Sequence, residues 1–431
     1  MEIEQLYIAF LNATEISTDT RTLKKGALFF ALSGPNFDGN RFAKEALAKG
    51  AEYVVVSDLN TLTNHSKVFL VKNTLATLQQ LANYHRKKLN ILIIALTGSN
   101  GKTTTKELIR EVLQKKFKVL ATQGNLNNHI GVPLTLLQLT EQHEIGIIEM
   151  GANHVKEIEK LCEIALPNWG YITNFGKAHL EGFGSEEGVV RGKSELYTHL
   201  IQNQGQILIN GADPKQVEQT KNYKVVQFSN KNTPDFKIEY LSNDENQLEL
   251  RFKERIFKSP LYGTYNFNNI AAAIAFGTLF EVPLTEIQNA IAAYDSKNNR
   301  SQKLSIKGTQ IILDAYNANP SSMEAALRAF TKYNTSNNVV IIGDMLELGK
   351  QSEEEHNDIL SLSLQLGFEN IYTLGSHFKK TTITHPSIQK FENLDALFNT
   401  LKAQQKKSNR ILIKGSRSMK LEQIIPLLES L

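Results

Sequence analysis

The stretch "LTGSNGKTTT", residues 96–105, constrains this chain more than any other. It follows the apolar run "ILIIA" and leads into "KELIREVLQKKF", where Leu108 and Val112, and Ile109, Leu113 and Phe117, recur at helical spacing. Strand, glycine-bearing turn and helix in that order predict a parallel α/β sheet. Gly98 and Gly101 permit close backbone approach to a ligand, and the helix N-terminus after them offers free amides and the positive end of a dipole to an anion. Lys102 can reach outer phosphates, and the Thr103 hydroxyl suits Mg²⁺. The turn is short: a usual phosphate loop puts about four residues between its first Gly and Gly-Lys-Ser/Thr. Here only Ser99 and Asn100 intervene. Nucleotide binding is expected at Gly98, Ser99, Asn100, Gly101, Lys102, Thr103 and Thr104.

A chain of 431 residues exceeds what one core usually serves, so two or three domains are expected. The order of apolar runs predicts an α/β protein of three. Residues 1–88, with "ALFFAL", "YVVVS" and "VFLVK" around helical "RFAKEALAKG", read as a small N-terminal α/β domain. Residues 89–297, through "IGIIEMG", "YITNFG" and "QILING", read as a central P-loop-type domain on a parallel sheet. Residues 298–431 repeat the alternation in "QIILDAYN", "NVVIIGDM", "NIYTLG" and "RILIKGS", with helices over 320–332 and 351–366, as in a Rossmann-like doubly wound fold. Several runs end in a polar residue: Thr97, Glu149, Asn174, Asp314, Asp344 and Lys414. Strand ends are where such sheets bind ligands, although polar residues also mark where any strand leaves its core.

The 48 basic and 44 acidic residues are scattered and leave a net charge of +4, so no basic stripe argues for nucleic acid. The single cysteine, Cys162, cannot form an internal disulfide and fits a reducing compartment. The N-terminus lacks a basic region ahead of an apolar core, and no apolar run approaches the roughly 18 residues of a membrane span. A soluble, cytoplasmic monomer is expected. Glu149 in "IIEMGAN" and His179 in "ITNFGKAHLEGFGS" are candidate Mg²⁺ ligands, each with an ordinary alternative as a sheet-edge carboxylate or a loop histidine. Lys193 in "VVRGKSELY" reads from spacing alone as a solvated helix lysine. His65, His143, His356 and Trp169 read as structural or solvated.

The series "TGSNGKTT", "GNLNNHIGVP", "IEMGAN", "TNFGKAHLEGFGS" and "GKSELY" resembles the Mur ligases in content and order. "STDTR" and "GALFFALSGPNFDG" near the start, with "DAYNANPSSM", "GDMLELG" and "KGSRS" in the last third, narrow the resemblance to the members that act on UDP-N-acetylmuramoyl tripeptide and D-Ala-D-Ala. The resemblance implies that Lys102 and the loop hold ATP, with Thr103, Glu149 and His179 around two Mg²⁺ ions. It also makes Lys193 a carbamylated lysine, which added CO₂ converts from a cation into an anionic ligand. Asn266 and Asn269 in "GTYNFNNIAAA", Arg300 and Asp314 are implied at the nucleotide, the last two from the third domain. Thr20, Asn36 and Phe37 are implied at the uridine diphosphate end, Asn125, Asn127 and Asn128 in the central cleft, and Asn317, Asn319 and Arg417 at the dipeptide. In "NNRSQ" the chain departs from the Pro-Gly-Arg turn of relatives but keeps Arg300. The implied activity is ATP-dependent amide formation through an acyl phosphate, catalysed by Lys102, Lys193, His179 and Glu149. The alternatives are another ligase of the superfamily, adding an amino acid or extending folate with glutamate, and a nucleotide switch that ligates nothing.

Overall fold

Runs of β-branched and aliphatic residues become strands because side chains on both sheet faces find cover. Val54, Val55 and Val56 are each wholly buried, the mark of a parallel strand with helices on both sides. The computed structural model describes residues 2–58, 66–229, 234–243, 247–296, 299–331, 338–404 and 410–430. His65 and the expected boundary at 297/298 lie outside them.

The N-terminal strands are β1 (Ile16–Ser17), β2 (Leu28–Phe30), β3 (Ser33–Gly34), β4 (Phe37–Asp38), β5 (Tyr53–Val56) and β6 (Val68–Leu70). They form a parallel sheet in the order β1-β2-β5-β6 and a small β3-β4 hairpin. Phe29, Ala31, Ala43, Ala46, Val54 and Val56 share its core.

The central strands are β7 (Leu92–Thr97), β8 (Val119–Ala121), β9 (Ile145–Glu149), β10 (Trp169–Ile172), β11 (Gln206–Asn210), β12 (Val226–Ser229), β13 (Phe236–Asn243), β14 (Leu248–Phe252) and β15 (Arg255–Ser259). Their order is β15-β14-β13-β12-β11-β10-β7-β9-β8. Chain order reverses at β7, and the crevice at the carboxyl end of such a strand is where open α/β sheets bind ligands. The pairs from β11 to β13 are parallel, but β13, β14 and β15 form an antiparallel meander, which an all-parallel reading of the central block missed. Its signal is in the sequence: in "LELRF" Leu248, Leu250 and Phe252 are buried while Arg251 is exposed, the period-2 alternation of a one-sided strand.

The third sheet contains β16 (Gln302–Ile306), β17 (Thr309–Asp314), β18 (Asn338–Gly343), β19 (Ile371–Leu374), β20 (Ile388–Phe391) and β21 (Arg410–Lys414), in the order β16-β17-β21-β18-β19-β20. All its pairs are parallel except β16-β17, so a doubly wound sheet carries one antiparallel edge. By contact density the chain divides into two compact units. One comprises Met1–Ala95, Phe117–Gly151 and Glu157–Trp169; the other comprises Leu96–Lys116, Ala152–Lys156 and Gly170–Leu431.

The helix after β7 runs Lys102–Leu113 and stops before Phe117, which the apolar spacing had included. The amides of Lys115 and Lys116 turn back to the carbonyls of Val112 and Leu113 at 3.2 and 3.0 Å, tightening and ending the last turn. The helix packs on Phe267–Leu279, where a Cβ on Gly277 would come within 2.5 Å of Val112. A side chain there would press on Val112 and Ile287, which would have to shift to make room. Among the described residues no helix is long and apolar enough to cross a membrane.

His85 and His356 lie in these cores, 3% and 0% exposed. His85 meets Tyr7 Oη at 3.1 Å and the Leu139 carbonyl at 2.9 Å, while His356 Nε2 accepts the Met345 amide at 3.0 Å. Burial disfavours the charged imidazole and pushes both pKa values below the ordinary one. The unfolded chain therefore takes up protons first as pH falls. Their contribution is complete above about pH 6.5, the unperturbed value, and is lost as pH falls toward the folded values. Thermal stability should fall between pH 7.5 and 5.5, and His85→Asn and His356→Asn should each flatten that slope, whatever they do to stability at pH 7.5. Equal slopes in wild type and variants would refute the assignment.

Candidate active site

At the end of β7 the chain makes a turn with almost no spare volume. Gly98 has φ +141°, and a Cβ there would lie 1.9 Å from Thr173 Oγ1. Gly101, at φ +80°, would place one 2.5 Å from Asn269 Oδ1. Both positions demand glycine on backbone and steric grounds. The segment after β10 braces the turn. The Ser99 amide donates to the Asn174 carbonyl at 3.0 Å and the Asn100 amide to Asn174 Oδ1 at 3.1 Å, while Thr173 Oγ1 and Asn174 Nδ2 donate to the Asn100 carbonyl. Lys102 opens the helix and folds its ammonium over the turn, donating to the Gly98 carbonyl at 2.8 Å. Thr103, Thr104 and Thr105 follow in the buried first turn. Early helical amides have no intrahelical acceptor, so backbone donors and one cation meet at a single turn, as an anion of several charges requires.

Asn266 and Asn269 buttress this turn from behind. Asn269 Oδ1 accepts from Thr105 Oγ1 at 3.0 Å, Asn269 Nδ2 donates to Asn266 Oδ1 at 2.7 Å, and Asn266 Nδ2 donates to the Tyr262 carbonyl at 2.7 Å. Asn100 links the turn to the third block: Asn319 Nδ2 donates to its Oδ1 at 2.8 Å, and its Nδ2 donates to Ser321 Oγ at 3.1 Å. Asn319 was expected on the dipeptide, so this tie is a structural role that sequence reasoning missed.

Lys193 is the clearest departure from its sequence-only reading. It lies on the helix Glu186–Gln202 and is 0% exposed, not solvated. Its Nζ sits 5.2 Å from the Phe183 ring centroid. The preceding Gly192 lies so close to that ring that a Cβ would come within 2.5 Å. Fully buried lysines are rare, so burial separates this position from an ordinary surface lysine. His179, at φ +54°, presents Nδ1 to the Glu347 carboxylate, and Lys177 Nζ meets Glu355 at 2.7 Å. The hydrogen bond from His179 holds the Glu347 carboxyl below the usual carboxylate range.

In the third block Asp314, at the end of β17, accepts from Lys414 Nζ at 2.6 Å and from the Ser301 amide at 3.1 Å. Asn299 and Ser301 have φ of +58° and +50° on either side of Arg300. A glycine would adopt the first at no cost; asparagine, which stands here, is the next best tolerated. The Arg300 guanidinium lies 3.7 Å from the Tyr316 ring centroid and that of Arg417 lies 5.8 Å from it. Arg417 also meets Glu422 at 3.1 Å. Asn317 Oδ1 accepts the Ala318 amide and its carbonyl accepts from Lys414 at 3.4 Å.

The remaining candidates lie in the first unit. Glu149 ends β9 with 2% exposure and accepts from Asn127 Nδ2 at 2.8 Å. Asn128 Oδ1 accepts the amides of Ile130 and Gly131 at 3.0 and 2.9 Å, turn chemistry of the ordinary kind. The Asn125 carbonyl accepts the Asn127 amide at 2.7 Å. Thr20 is buried, and its carbonyl accepts from Lys49; Asn36 and Phe37 are exposed, with Phe37 stacked on Phe42 at 5.4 Å. Among the described residues no three His, Cys, Asp or Glu side chains converge as a metal cage. Hard oxygen donors, used one or two at a time beside phosphate and water, are how proteins hold Mg²⁺; Thr103 in one unit and Glu149 in the other each have that chemistry.

Three family models match in sequence: "Mur ligase family, catalytic domain" over residues 12–91, "Mur ligase middle domain" over 96–277, and "Mur ligase, glutamate ligase domain" over 299–417. The UDP-N-acetylmuramoyl-tripeptide--D-alanyl-D-alanine ligase of Bacillus subtilis is 34% identical, covering 95% of this chain and 92% of its own. The protein of that name from Escherichia coli is 32% identical, covering 99% and 96%. A crystal structure of MurF from Acinetobacter baumannii superposes with a TM-score of 0.87 at 30% identity, over 100% of this chain and 98% of that one. MurF ligase from Thermotoga maritima in complex with ADP gives a TM-score of 0.85 at 26% identity, over 98% of both chains. The chain belongs to the Mur ligase family and, within it, to the UDP-N-acetylmuramoyl-tripeptide--D-alanyl-D-alanine ligases.

Proposed function

We propose that this chain is an ATP-dependent ligase that joins D-Ala-D-Ala to UDP-N-acetylmuramoyl tripeptide through an acyl phosphate, in cytoplasmic peptidoglycan precursor synthesis. The observation that carries the reading is the whole-length match, at 30% identity or more, to ligases of that name. The braced turn at residues 98–102 supports the nucleotide part of it, as does the ADP complex of the Thermotoga maritima relative.

A carboxylate and an amine do not condense in neutral water, because oxide is a poor leaving group. ATP overcomes this. One oxygen of the tripeptide's terminal carboxylate attacks the γ-phosphorus, ADP departs, and the mixed anhydride forms. The dipeptide amine then attacks the acyl carbon, the C–O bond breaks toward phosphate, and the amide nitrogen loses its proton. Phosphoryl transfer between two anions needs positive charge and fixed dipoles at the phosphates. Lys102 and the first amides of its helix supply both, and Gly98 and Gly101 let the phosphates approach the backbone. Thr103, Glu149, His179 and Lys193 would hold the Mg²⁺ ions, which when bound neutralise phosphate charge. An ammonium on Lys193 would repel Mg²⁺, so this lysine acts as its carbamate. Residues 1–88 act as the domain for the uridine diphosphate end, through Thr20, Asn36 and Phe37. Residues 89–297 act as the ATP domain, with Asn125, Asn127 and Asn128 along the peptide. Residues 298–431 bring Asn317, Asn319 and Arg417 to the dipeptide, and Arg300 and Asp314 to the nucleotide. Excluding water protects the anhydride from hydrolysis.

Phosphate release from Mg-ATP should require both UDP-N-acetylmuramoyl tripeptide and D-Ala-D-Ala, with a product heavier than the nucleotide substrate by one dipeptide less water. Release indifferent to the dipeptide would reject the reading in favour of another amine or a nucleotide switch. Lys193→Ala should lose turnover by at least about 10²-fold, the scale of removing one positioned electrostatic group, and should recover in part with added short-chain carboxylate. A folded Lys193→Ala enzyme of normal activity would exclude the carbamate.

A further inference from the structure

The hydrogen-bond partner of His179 comes from a segment about 170 residues further along and has no role in the reaction as derived above. A carboxylate is acceptor-only when ionised, so the Nδ1 facing Glu347 must carry the ring proton. A neutral imidazole with a proton on Nδ1 keeps its lone pair on Nε2, the only nitrogen then able to bind a cation or accept a proton. The contact is built as well as touched. The Glu181 amide donates to the Glu347 carbonyl at 3.1 Å, Leu348 is buried, and Gly349 lies against Glu181, where a Cβ would come within 3.3 Å of the Glu181 Cβ. Glu347 itself takes φ +62°, a backbone state that costs energy for a residue with a side chain. One turn away, Lys177 and Glu355 pair at 2.7 Å. Two hydrogen bonds, one ion pair and a glycine approach thus seat the 347–355 segment on the 177–183 turn.

We propose that Glu347 is a positioning residue, which fixes His179 as the Nδ1–H tautomer and aims Nε2 at the Mg²⁺ site only while the 347–355 segment is seated on the 177–183 turn. A ligating histidine whose other nitrogen is held by a carboxylate is oriented and made more basic by it, and loss of such a partner costs about 10- to 100-fold in metal affinity or activity. Seating of the third block and competence of the metal site are then one event. The inference rests on the reading of His179 as a Mg²⁺ ligand, and its first readout needs neither metal nor nucleotide.

That readout is the ¹⁵N spectrum of the full chain labelled at histidine, with His179 assigned by its loss in His179→Asn. Wild type at pH 8 should show His179 as Nδ1–H. Glu347→Ala should release it toward Nε2–H, while Glu347→Gln, which keeps an acceptor oxygen, should retain Nδ1–H. In parallel, Mn²⁺ affinity in the presence of ADP and kcat should fall about 10- to 100-fold in Glu347→Ala and recover largely in Glu347→Gln. A wild-type Nε2–H tautomer, or one unchanged in Glu347→Ala, overturns the contact. A changed tautomer with unaltered Mn²⁺ affinity and kcat overturns the positioning role. Failure of the ligase reading looks different: wild-type phosphate release would then ignore the dipeptide.

Discussion

The contact on which the rest of the site depends is the approach of Gly98 to Thr173, so close that a single methyl group at residue 98 would overlap the threonine hydroxyl. It presses the end of β7 against the continuation of β10 and lets Asn174 bind the backbone of residues 99 and 100. Everything after it is set in direction: Gly101 turns the chain and Lys102 starts the helix. Magnitudes rank the contributions. A helix terminus is worth about 0.3–1 kcal/mol to an adjacent exposed charge, whereas two unit charges 4 Å apart at an effective dielectric near 20 interact by about 4 kcal/mol. On the proposed function Lys102 would therefore dominate attraction for phosphate, while the turn's rigidity would determine where the phosphate sits.

Around this turn the protein places polar groups where stability alone would place apolar ones. Thr97, Ser99, Thr103, Thr104 and Thr105 are all buried. Buried polar groups cost free energy unless they find partners, and a chain optimised only for folding would avoid so many in one neighbourhood. Their concentration beside a glycine-braced turn is the physical sign of a site that handles charge.

The turn itself was legible in the sequence because its chemistry is local: strand, Gly-x-x-Gly-Lys-Thr and helix lie within some twenty residues. The polar strand ends were legible for the same reason: Thr97, Glu149, Asp314 and Lys414 do end strands in the structure, whereas Asn174 and Asp344 lie just past the ends of β10 and β18. Three features were not legible. The tie from Asn100 to Asn319 and Ser321 spans about 220 residues, and no spacing rule reaches that far. The burial of Lys193 follows from Gly188 and Gly192 accepting Phe183 against the helix, a packing fact that looks like an ordinary helix from the sequence. Glu347 stood inside a motif already recognised, yet nothing local paired it with His179. The antiparallel meander β13–β15 is different, since the alternation of Leu248, Leu250 and Phe252 was available and was outweighed by the parallel pattern before it.

The central claim is that the turn at residues 98–102 serves to activate a carboxylate by phosphoryl transfer. It is tested most directly by following oxygen. With the tripeptide's terminal carboxylate doubly labelled with ¹⁸O, one turnover should leave one ¹⁸O in the released phosphate and one in the new amide, because the carbon–oxygen bond breaks after the phosphate has been attached to that oxygen. Phosphate free of label, in reactions that still form the dipeptide product, would show that the carboxylate is never phosphorylated and would contradict the account.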